Sequence, residues 1–192
     1  MARLFPARAQ FLGAYTGEVP GSPLPEIVFA GRSNVGKSSA INTIVGQAIA
    51  RTSSTPGRTQ SINVFEVGGR IHLVDLPGYG FAKVGKHTRD DWKRMIGHYF
   101  TSRETIRLVV ALFDSRHPAQ DLDRTLLESL AAYGFPVLGL ATKVDDLPKA
   151  RRDNTVATLA RAHGLPDDAV IPFSATERIG LEEAREAIAS VL

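Results

Sequence analysis

Hydrophobic residues follow two recurring patterns along this chain. Short continuous apolar runs, which are typical of strands buried on both faces, occupy residues 25–30, 106–114, 137–142 and 169–173. Apolar residues at helical spacing occupy residues 38–46, 89–100, 121–133, 149–163 and 181–192. Two further strands are predicted at residues 61–67 and 70–75, joined by Gly68-Gly69, a pair that favours a hairpin turn.

This alternation of strands and helices predicts an α/β fold. We expect a mostly parallel six-stranded sheet with helices on both faces, in which the hairpin supplies one antiparallel edge strand. Residues 25–192 are predicted to form a single domain, because no repeat, low-complexity tract or linker divides them. Residues 1–24 are interpreted as a lead-in segment; the alternative, a signal or transit peptide, is disfavoured because the apolar stretch is short.

Composition and charge narrow the class of protein. The chain has 192 residues, of which 43% are hydrophobic and 22% charged, as in a globular domain. It has no cysteine, which excludes disulfides and cysteine-based metal sites, and no apolar run long enough to span a bilayer. We expect a cytoplasmic monomer without a membrane partner. The first 100 residues carry 12 basic and 6 acidic side chains, which suits either a polyanionic partner or a solvated surface.

The most informative motif is a glycine-rich loop between the first apolar run and the first predicted helix. Residues 31–38 read Gly-x-x-x-x-Gly-Lys-Ser, a pattern that binds the phosphates of a nucleoside triphosphate. Gly31 and Gly36 permit a tight turn whose backbone N–H groups point at phosphate oxygens, and the helix N-terminus adds positive partial charge. Lys37 is expected to reach the β- and γ-phosphates, and the Ser38 hydroxyl to ligate Mg²⁺.

An acidic residue follows the predicted strand at residues 70–75. Asp75 opens the sequence Asp-Leu-Pro-Gly, 37 residues after Ser38. A carboxylate in this position can hold Mg²⁺, mostly through water, and the backbone N–H of Gly78 can approach the γ-phosphate. The alternative is an ordinary turn at the end of a strand, since Pro-Gly is a common turn pair.

Two later motifs predict which base is bound. In Thr142-Lys143-Val144-Asp145, the Asp145 carboxylate can accept hydrogen bonds from both N1–H and the exocyclic amine of guanine, a pair that adenine lacks. The stem of Lys143 can pack over the base. Thr142 stands where most guanine-binding proteins have Asn, and can still bond toward the phosphate loop. In Phe173-Ser174-Ala175 a backbone N–H can donate to guanine O6 while Ser174 braces the loop.

Assembled, these motifs resemble the EngB/YsxC family of bacterial ribosome-assembly GTPases, within the translation-factor class of P-loop GTPases. The resemblance covers nearly the whole chain and is carried by residues 31–39, 55–60, 75–81, 142–145 and 173–175. It implies a P-loop GTPase fold, hydrolysis of GTP to GDP, and a switch role in late large ribosomal subunit assembly, with a link to normal septation in cell division.

The resemblance also assigns the site residues. It implies that Ser38 and Thr59 ligate Mg²⁺, that residues 57–61 form the first switch and that residues 75–78 begin the second. From position alone, Thr59 competes with several neighbouring hydroxyls. The predicted nucleotide-binding residues are Gly31, Arg32, Ser33, Asn34, Val35, Gly36, Lys37, Ser38, Ser39, Gly57, Arg58, Thr59, Gln60, Ser61, Asp75, Leu76, Pro77, Gly78, Thr142, Lys143, Val144, Asp145, Phe173, Ser174 and Ala175.

Hydrolysis is predicted to be slow. Many GTPases place a water-positioning Gln directly after Asp-x-x-Gly, and here that residue is Tyr79. The predicted catalytic residues are Lys37, Asn34, Thr59 and Gly78. Related GTPases with Asn at the position of Asn34 use it to hold K⁺, so we expect K⁺ to accelerate hydrolysis. Arg58 as a built-in arginine finger is the alternative, and a solvated or RNA-facing Arg58 is the simpler interpretation.

Basic residues crowd the second switch and the helix after it, namely Lys83, Lys86, His87, Arg89, Lys93 and Arg94. With the resemblance, we expect them to contact ribosomal RNA of the large subunit; a charged solvent face is the alternative. Two other functions stay open: a nucleotide-gated RNA-binding module with incidental hydrolysis, and an ATP-using kinase of small substrates, against which Asp145 argues.

Overall fold

A single mixed sheet organises the chain. The structure, a computed structural model, describes residues 4–52, 61–79, 86–117 and 119–192, without the side chains of residues 86–92. The strands in the described part of the chain are β1 (Ala9–Tyr15), β2 (Glu26–Gly31), β3 (Ile62–Val67), β4 (Ile71–Asp75), β5 (Ile106–Asp114), β6 (Val137–Thr142) and β7 (Val170–Pro172). The helices there are α1 (Lys37–Val45), α2 (Lys86–Thr101), α3 (Asp121–Tyr133), α4 (Arg152–Ala162) and α5 (Leu181–Ser190).

The sheet order is β1-β3-β4-β2-β5-β6-β7. Strands β4, β2, β5, β6 and β7 pair in parallel, and β3 runs antiparallel to both β4 and β1. The parallel strands therefore all end at one edge of the sheet. Loops that follow these strands meet at that edge, which is where open α/β sheets bind ligands.

Alternate residues of the central strands build two hydrophobic layers. In β2, Ile27 and Phe29 face the layer that α1 and α5 cover, while Val28 and Ala30 face the layer that α2 and α3 cover. Because both faces are buried, the strand is apolar throughout rather than alternating. A smaller cluster, which includes Val156 of α4, covers β6 and β7.

The predicted fold class is confirmed, with two corrections to the sheet. Helices lie on both faces, and the bounds of β5, β6 and α3 are those predicted. The sheet has seven strands among the described residues, not six, because β1 lies within the segment interpreted as a lead-in. The antiparallel strand β3 is consequently one position in from the edge. Strand β1 was not predicted, because neither of its faces is fully buried and its sequence therefore lacks the apolar run of a buried strand.

The predicted helix at residues 149–163 is divided in the structure. A 3₁₀ turn, Lys149–Arg151, precedes α4, which is three residues shorter at its start than the pattern predicted. Within the described residues, no helix is long and apolar enough to cross a membrane.

Candidate nucleotide-binding site

The phosphate loop lies where β2 ends and α1 begins. Gly31 is the last residue of β2 and Lys37 the first of α1. Gly36 precedes the helix with a φ of 103°, a conformation that residues with a Cβ rarely adopt. The first N–H groups of a helix have no carbonyl partner within it, so α1 presents free donors to the loop. The strand–loop–helix context that phosphate binding requires is therefore present.

Lys37 and Asp75 come together at this edge as a buried ion pair. The Lys37 ammonium lies 2.6 Å from the Asp75 carboxylate, with both side chains almost inaccessible to solvent. The pair forms because β4 lies next to β2 in parallel, which ends both strands at the same level. The two motifs that the sequence places far apart thus share one site.

The segment after β4 lies against the phosphate loop. The backbone N–H of Ser33 donates to the carbonyl oxygen of Tyr79 at 3.1 Å. A Cβ built on Gly78 would lie 3.0 Å from the Cα and N of Ser33, closer than a side chain tolerates. Glycine at position 78 thus permits the start of the predicted second switch to touch the loop.

Tyr79 stands where a water-positioning glutamine is usual, and its side chain is hydrogen-bonded to helix α3. Its buried hydroxyl donates to Asp123 of α3 at 2.7 Å. Burial raises the pKa of Tyr79 far above its ordinary value, and the charge of Asp123 adds to that effect. Burial also raises the pKa of Asp123, against the hydrogen bond from Tyr79 and the charge of Arg32. The Tyr79 side chain therefore anchors its segment to α3.

Thr142 and Lys143 tie the base-side loop, residues 142–146, to the phosphate loop. The Thr142 hydroxyl donates toward the carbonyl oxygens of Val35 and Phe113, at 2.6 and 3.0 Å. This confirms that Thr can brace the phosphate loop where Asn is usual. The Lys143 ammonium donates to the carbonyl oxygen of Asn34 at 2.6 Å. The two loops are therefore held as one unit.

The remaining base-side motif is adjacent to this loop. The backbone N–H of Val144 donates to the carbonyl oxygen of Phe173 at 3.4 Å. The fully buried Ser174 accepts a hydrogen bond from the backbone N–H of Glu177 at 2.9 Å, which confirms its predicted bracing role. Asp145, directly after Val144, is half-buried. Both predicted base-side motifs thus lie at one edge of the site.

Sequence reasoning missed a charged cluster at the end of β5. Asp114 forms ion pairs with Lys143 at 2.7 Å and with Arg116 at 2.8 Å. Burial alone would raise the pKa of Asp114, but hydrogen bonds from Arg116 and Lys143 outweigh it and lower the pKa to about 2. Asp114 ends a buried strand at the same edge as Asp75, so the rule that selected Asp75 could also have found it.

A cavity of about 210 Å³ opens behind the phosphate loop. Residues of the loop, the end of β5, α3 and α4 line it, among them Asn34, Asp114, Asp123 and His163. The His163 ring stacks on Phe113, with centroids 4.3 Å apart. Burial and the charge of Arg124 lower the pKa of His163.

Several predicted site residues lie outside the described residues. These are Gly57, Arg58, Thr59 and Gln60 of the first switch and Lys83 of the second, whose assignments stay predictions. Ser61 is described and half-buried, and its hydroxyl donates to the side-chain oxygen of Asn63 at 3.2 Å.

The residues present fit a magnesium ion that arrives with a nucleotide. Among the described residues, no cluster of three or more His, Asp or Glu side chains could hold a metal by itself. Mg²⁺ at phosphate sites uses only one or two protein oxygens and completes its shell with phosphates and water. The Ser38 hydroxyl and the Asp75 carboxylate at this edge are donors of that kind.

Known proteins are similar to this chain in sequence and in fold. The family model described as "50S ribosome-binding GTPase" matches residues 26–143. A probable GTP-binding protein EngB of Streptococcus equi is 46% identical over 175 residues, covering 90% of this chain and 88% of that protein. The chain belongs to the EngB family. The probable EngB of Bacillus subtilis is 44% identical over 177 residues, covering 91% of each chain.

A crystal structure of a probable EngB protein has a TM-score of 0.72 to this chain at 26% identity, covering 86% of this chain and 97% of that one. The family and the P-loop GTPase fold predicted from the motifs are thereby confirmed. This EngB-family protein is a GTPase, which binds GTP and GDP and hydrolyses GTP. The kinase interpretation is set aside.

Proposed function

We propose that this EngB-family GTPase is a slow switch that acts on the large ribosomal subunit late in its assembly, in the cytoplasm. The family description, 50S ribosome-binding, supports this partner. Through subunit assembly the protein would affect septation and cell division indirectly. The observation that carries the slow-switch proposal is the buried Tyr79–Asp123 hydrogen bond. This bond holds the side chain after Asp-x-x-Gly, where a water-positioning glutamine is usual, in a structural contact.

The meeting of the phosphate loop and Asp75 at one edge of the sheet supports the proposed nucleotide roles, while that of Thr59 rests on the family resemblance. Lys37 would neutralise the β- and γ-phosphates, and Ser38 and Asp75 would hold Mg²⁺, with Thr59 as a further ligand. The magnesium ion would neutralise charge that develops on the transferred phosphoryl group. Asp145 would select guanine by accepting two hydrogen bonds from its edge.

Asn34 would supply part of the missing activation by holding K⁺ beside the phosphates. Its side chain is exposed, and it adopts a φ of 62° that turns the loop at this point. We expect faster turnover in potassium than in sodium salts, and no such difference in Asn34→Ala. Equal rates in the two salts for the unaltered protein would remove this assignment.

The RNA-facing surface would be the exposed side of α2, with the preceding segment that contains Lys83. Lys93 and Arg94 are exposed on this helix, and Lys86 and Arg89 lie in its first turn. Contacts between such a cluster and phosphates would make binding steeply dependent on salt. The γ-phosphate would order both switches, and its loss would release them.

Co-sedimentation with purified large subunits tests the proposal, with GTP, GDP or no nucleotide present. We expect GTP-dependent binding and a rise in turnover of about tenfold or more when subunits are added. Binding without any rise in turnover would instead favour the nucleotide-gated RNA-binding module. Absence of binding in every nucleotide state would overturn the ribosomal assignment.

A pair of charge reversals tests the surface. Lys93→Glu with Arg94→Glu is expected to weaken subunit binding by about tenfold at moderate salt, since two phosphate contacts are lost. The matched control is Lys149→Glu with Arg151→Glu, an equal charge change on the exposed turn before α4. Equal weakening by both pairs would indicate a general charge effect and exclude α2 as the specific surface.

A further inference from the structure

Three charged side chains connect the end of β5 to the base-side loop. Arg116 donates to both oxygens of Asp114, from Nε at 2.9 Å and from Nη2 at 2.8 Å. The same guanidinium donates from Nη1 to Asp146 at 3.1 Å. Arg116 therefore bridges a residue on the sheet and a residue on the loop, with its planar fork matched to the Asp114 carboxylate.

Lys143 is held from the same carboxylate. Its ammonium lies 2.7 Å from Asp114 and also donates to the carbonyl oxygen of Asn34. Lys143 has a φ of 61°, a left-handed conformation that costs free energy for a residue with a Cβ and needs support from its surroundings. Asp114 provides that support at the point where the base-side and phosphate loops touch.

These contacts flank Asp145 on both sides. Lys143, two residues before it, is fixed by Asp114, and Asp146, directly after it, is fixed by Arg116. A carboxylate that accepts two parallel hydrogen bonds from a base must be correctly oriented as well as close. The network therefore holds a residue on each side of Asp145 and so limits how its carboxylate can be aimed.

We propose that Asp114 and Arg116 are positioning residues for guanine selectivity, which act by fixing the base-side loop around Asp145. This inference rests on the guanine-recognition role of Asp145 in the proposed function. The selectivity at issue concerns the guanine edge, N1–H and the exocyclic amine.

Stability of the fold is a weak alternative explanation for this network. The Arg116 side chain is 41% exposed and Asp146 is 49% exposed, so their ion pair contributes little to folding. The contacts instead join a rigid strand end to a loop that follows a different strand. Support of this kind keeps a binding residue in its productive geometry.

Arg116→Gln tests the inference through the affinities for GDP and inosine diphosphate, which lacks only the exocyclic amine. We expect GDP affinity to fall by about tenfold and inosine diphosphate affinity by no more than about threefold, because a misaimed carboxylate loses the second hydrogen bond first. The ratio of the two affinities is the readout, since a change that merely loosened the protein would weaken both ligands alike.

Three further variants keep the outcomes distinct. Arg107→Gln removes an exposed arginine from the opposite end of the same strand and should leave the ratio unchanged. Asp145→Asn should abolish the preference for GDP; if it does not, the proposed guanine role itself fails. If Asp145→Asn abolishes the preference while Arg116→Gln and Asp114→Asn preserve it, the positioning inference alone is overturned.

Discussion

Strand β2 has a buried ion pair near each of its ends, and the two pairs differ in how they are completed. Lys37 and Asp75 lie at the carboxyl end, 2.6 Å apart, and Arg103 and Glu26 lie at the amino end, 3.8 Å apart. All four side chains are at least nine-tenths buried. The two pairs are therefore alike in burial and differ in their surroundings.

At the amino end the fold itself supplies every partner described. Glu26 accepts a hydrogen bond from the buried hydroxyl of Tyr99. Arg103 donates to the carbonyl oxygens of Val19 and Pro20 at 2.7 and 2.9 Å and lies over the Tyr99 ring. The charges are held by three separate segments of chain, which makes this network a structural element.

At the carboxyl end the pair lies beside a loop built for anions. Lys37 begins α1, whose free N–H groups and Gly36 turn suit phosphates. Its ion pair with Asp75 keeps two buried charges compensated. The difference indicates that burial alone does not distinguish a structural ion pair from one in a binding site. The groups that surround the pair make that distinction.

The largest expected effect is that of Lys37→Ala on nucleotide binding. We expect the affinity for GTP to fall by at least about 100-fold, because truncating one member of a buried charged contact costs several kcal/mol. Equilibrium titration with GTP measures it. Lys149→Ala, at an exposed position outside the site, should bind normally. Retained affinity in Lys37→Ala would show that the two ends of β2 do not differ in the way described.

Glu26→Gln is the reciprocal change at the amino end. We expect the free energy of unfolding to fall by about 3 kcal/mol, because Arg103 is left buried without its counter-charge. GDP affinity should stay within about twofold, since the change lies at the opposite edge of the sheet from the loops that bind ligands. Urea denaturation and GDP titration provide the two measurements, with the exposed Glu104→Gln as control. A large loss of GDP affinity would contradict the division of roles.

Much of this architecture could be predicted from the sequence. The continuous apolar runs gave β5 and β6 their correct bounds, because strands buried on both faces need apolar residues throughout. The phosphate loop and Asp75 were placed together correctly, because motifs that follow parallel strands meet at one edge.

Contacts between distant segments could not be predicted in the same way. Glu26 and Arg103 are remote in sequence, and their pairing depends on how α2 packs beneath the sheet. The role of Asp123 depends on Tyr79 turning toward α3, a rotamer that no local pattern encodes. Strand β1 was missed because its exposed Phe11 and Leu12 give it no buried face to recognise.

A smaller effect is expected from Thr142→Val, which removes one hydroxyl from between the two loops. We expect a loss of about 1 kcal/mol in unfolding free energy and a weakening of GDP binding by severalfold, because the carbonyl oxygens of Val35 and Phe113 lose a donor. Thr142→Ser keeps the hydroxyl and is the matched control. If both variants behave alike, side-chain packing rather than the hydrogen bond explains the position.

The smallest expected effect concerns two buried histidines, one toward each end of the sheet. Burial lowers the pKa of His163, with a further contribution from Arg124, and burial lowers that of His72 against the raising charges of Glu26 and Glu66. Each folded-state pKa thus lies below the ordinary 6.5. As the pH falls below that value, the unfolded chain therefore binds more protons than the folded protein does. The free energy of unfolding consequently decreases as the pH approaches the folded-state pKa.

His163→Phe should consequently reduce the loss of unfolding free energy between about pH 7.5 and about pH 5.5. Phenylalanine can keep the stack on Phe113 without a proton to bind. Urea denaturation at the two pH values measures the loss, and His98→Phe, at an exposed position on α2, is the control. Among the described residues, no carboxylate charge is found to raise the pKa of His163 against burial, whereas Glu26 and Glu66 raise that of His72. The substitution of His163 should therefore change the pH dependence more than His72→Phe does. The reverse order would show that the carboxylates around His72 fail to offset its burial.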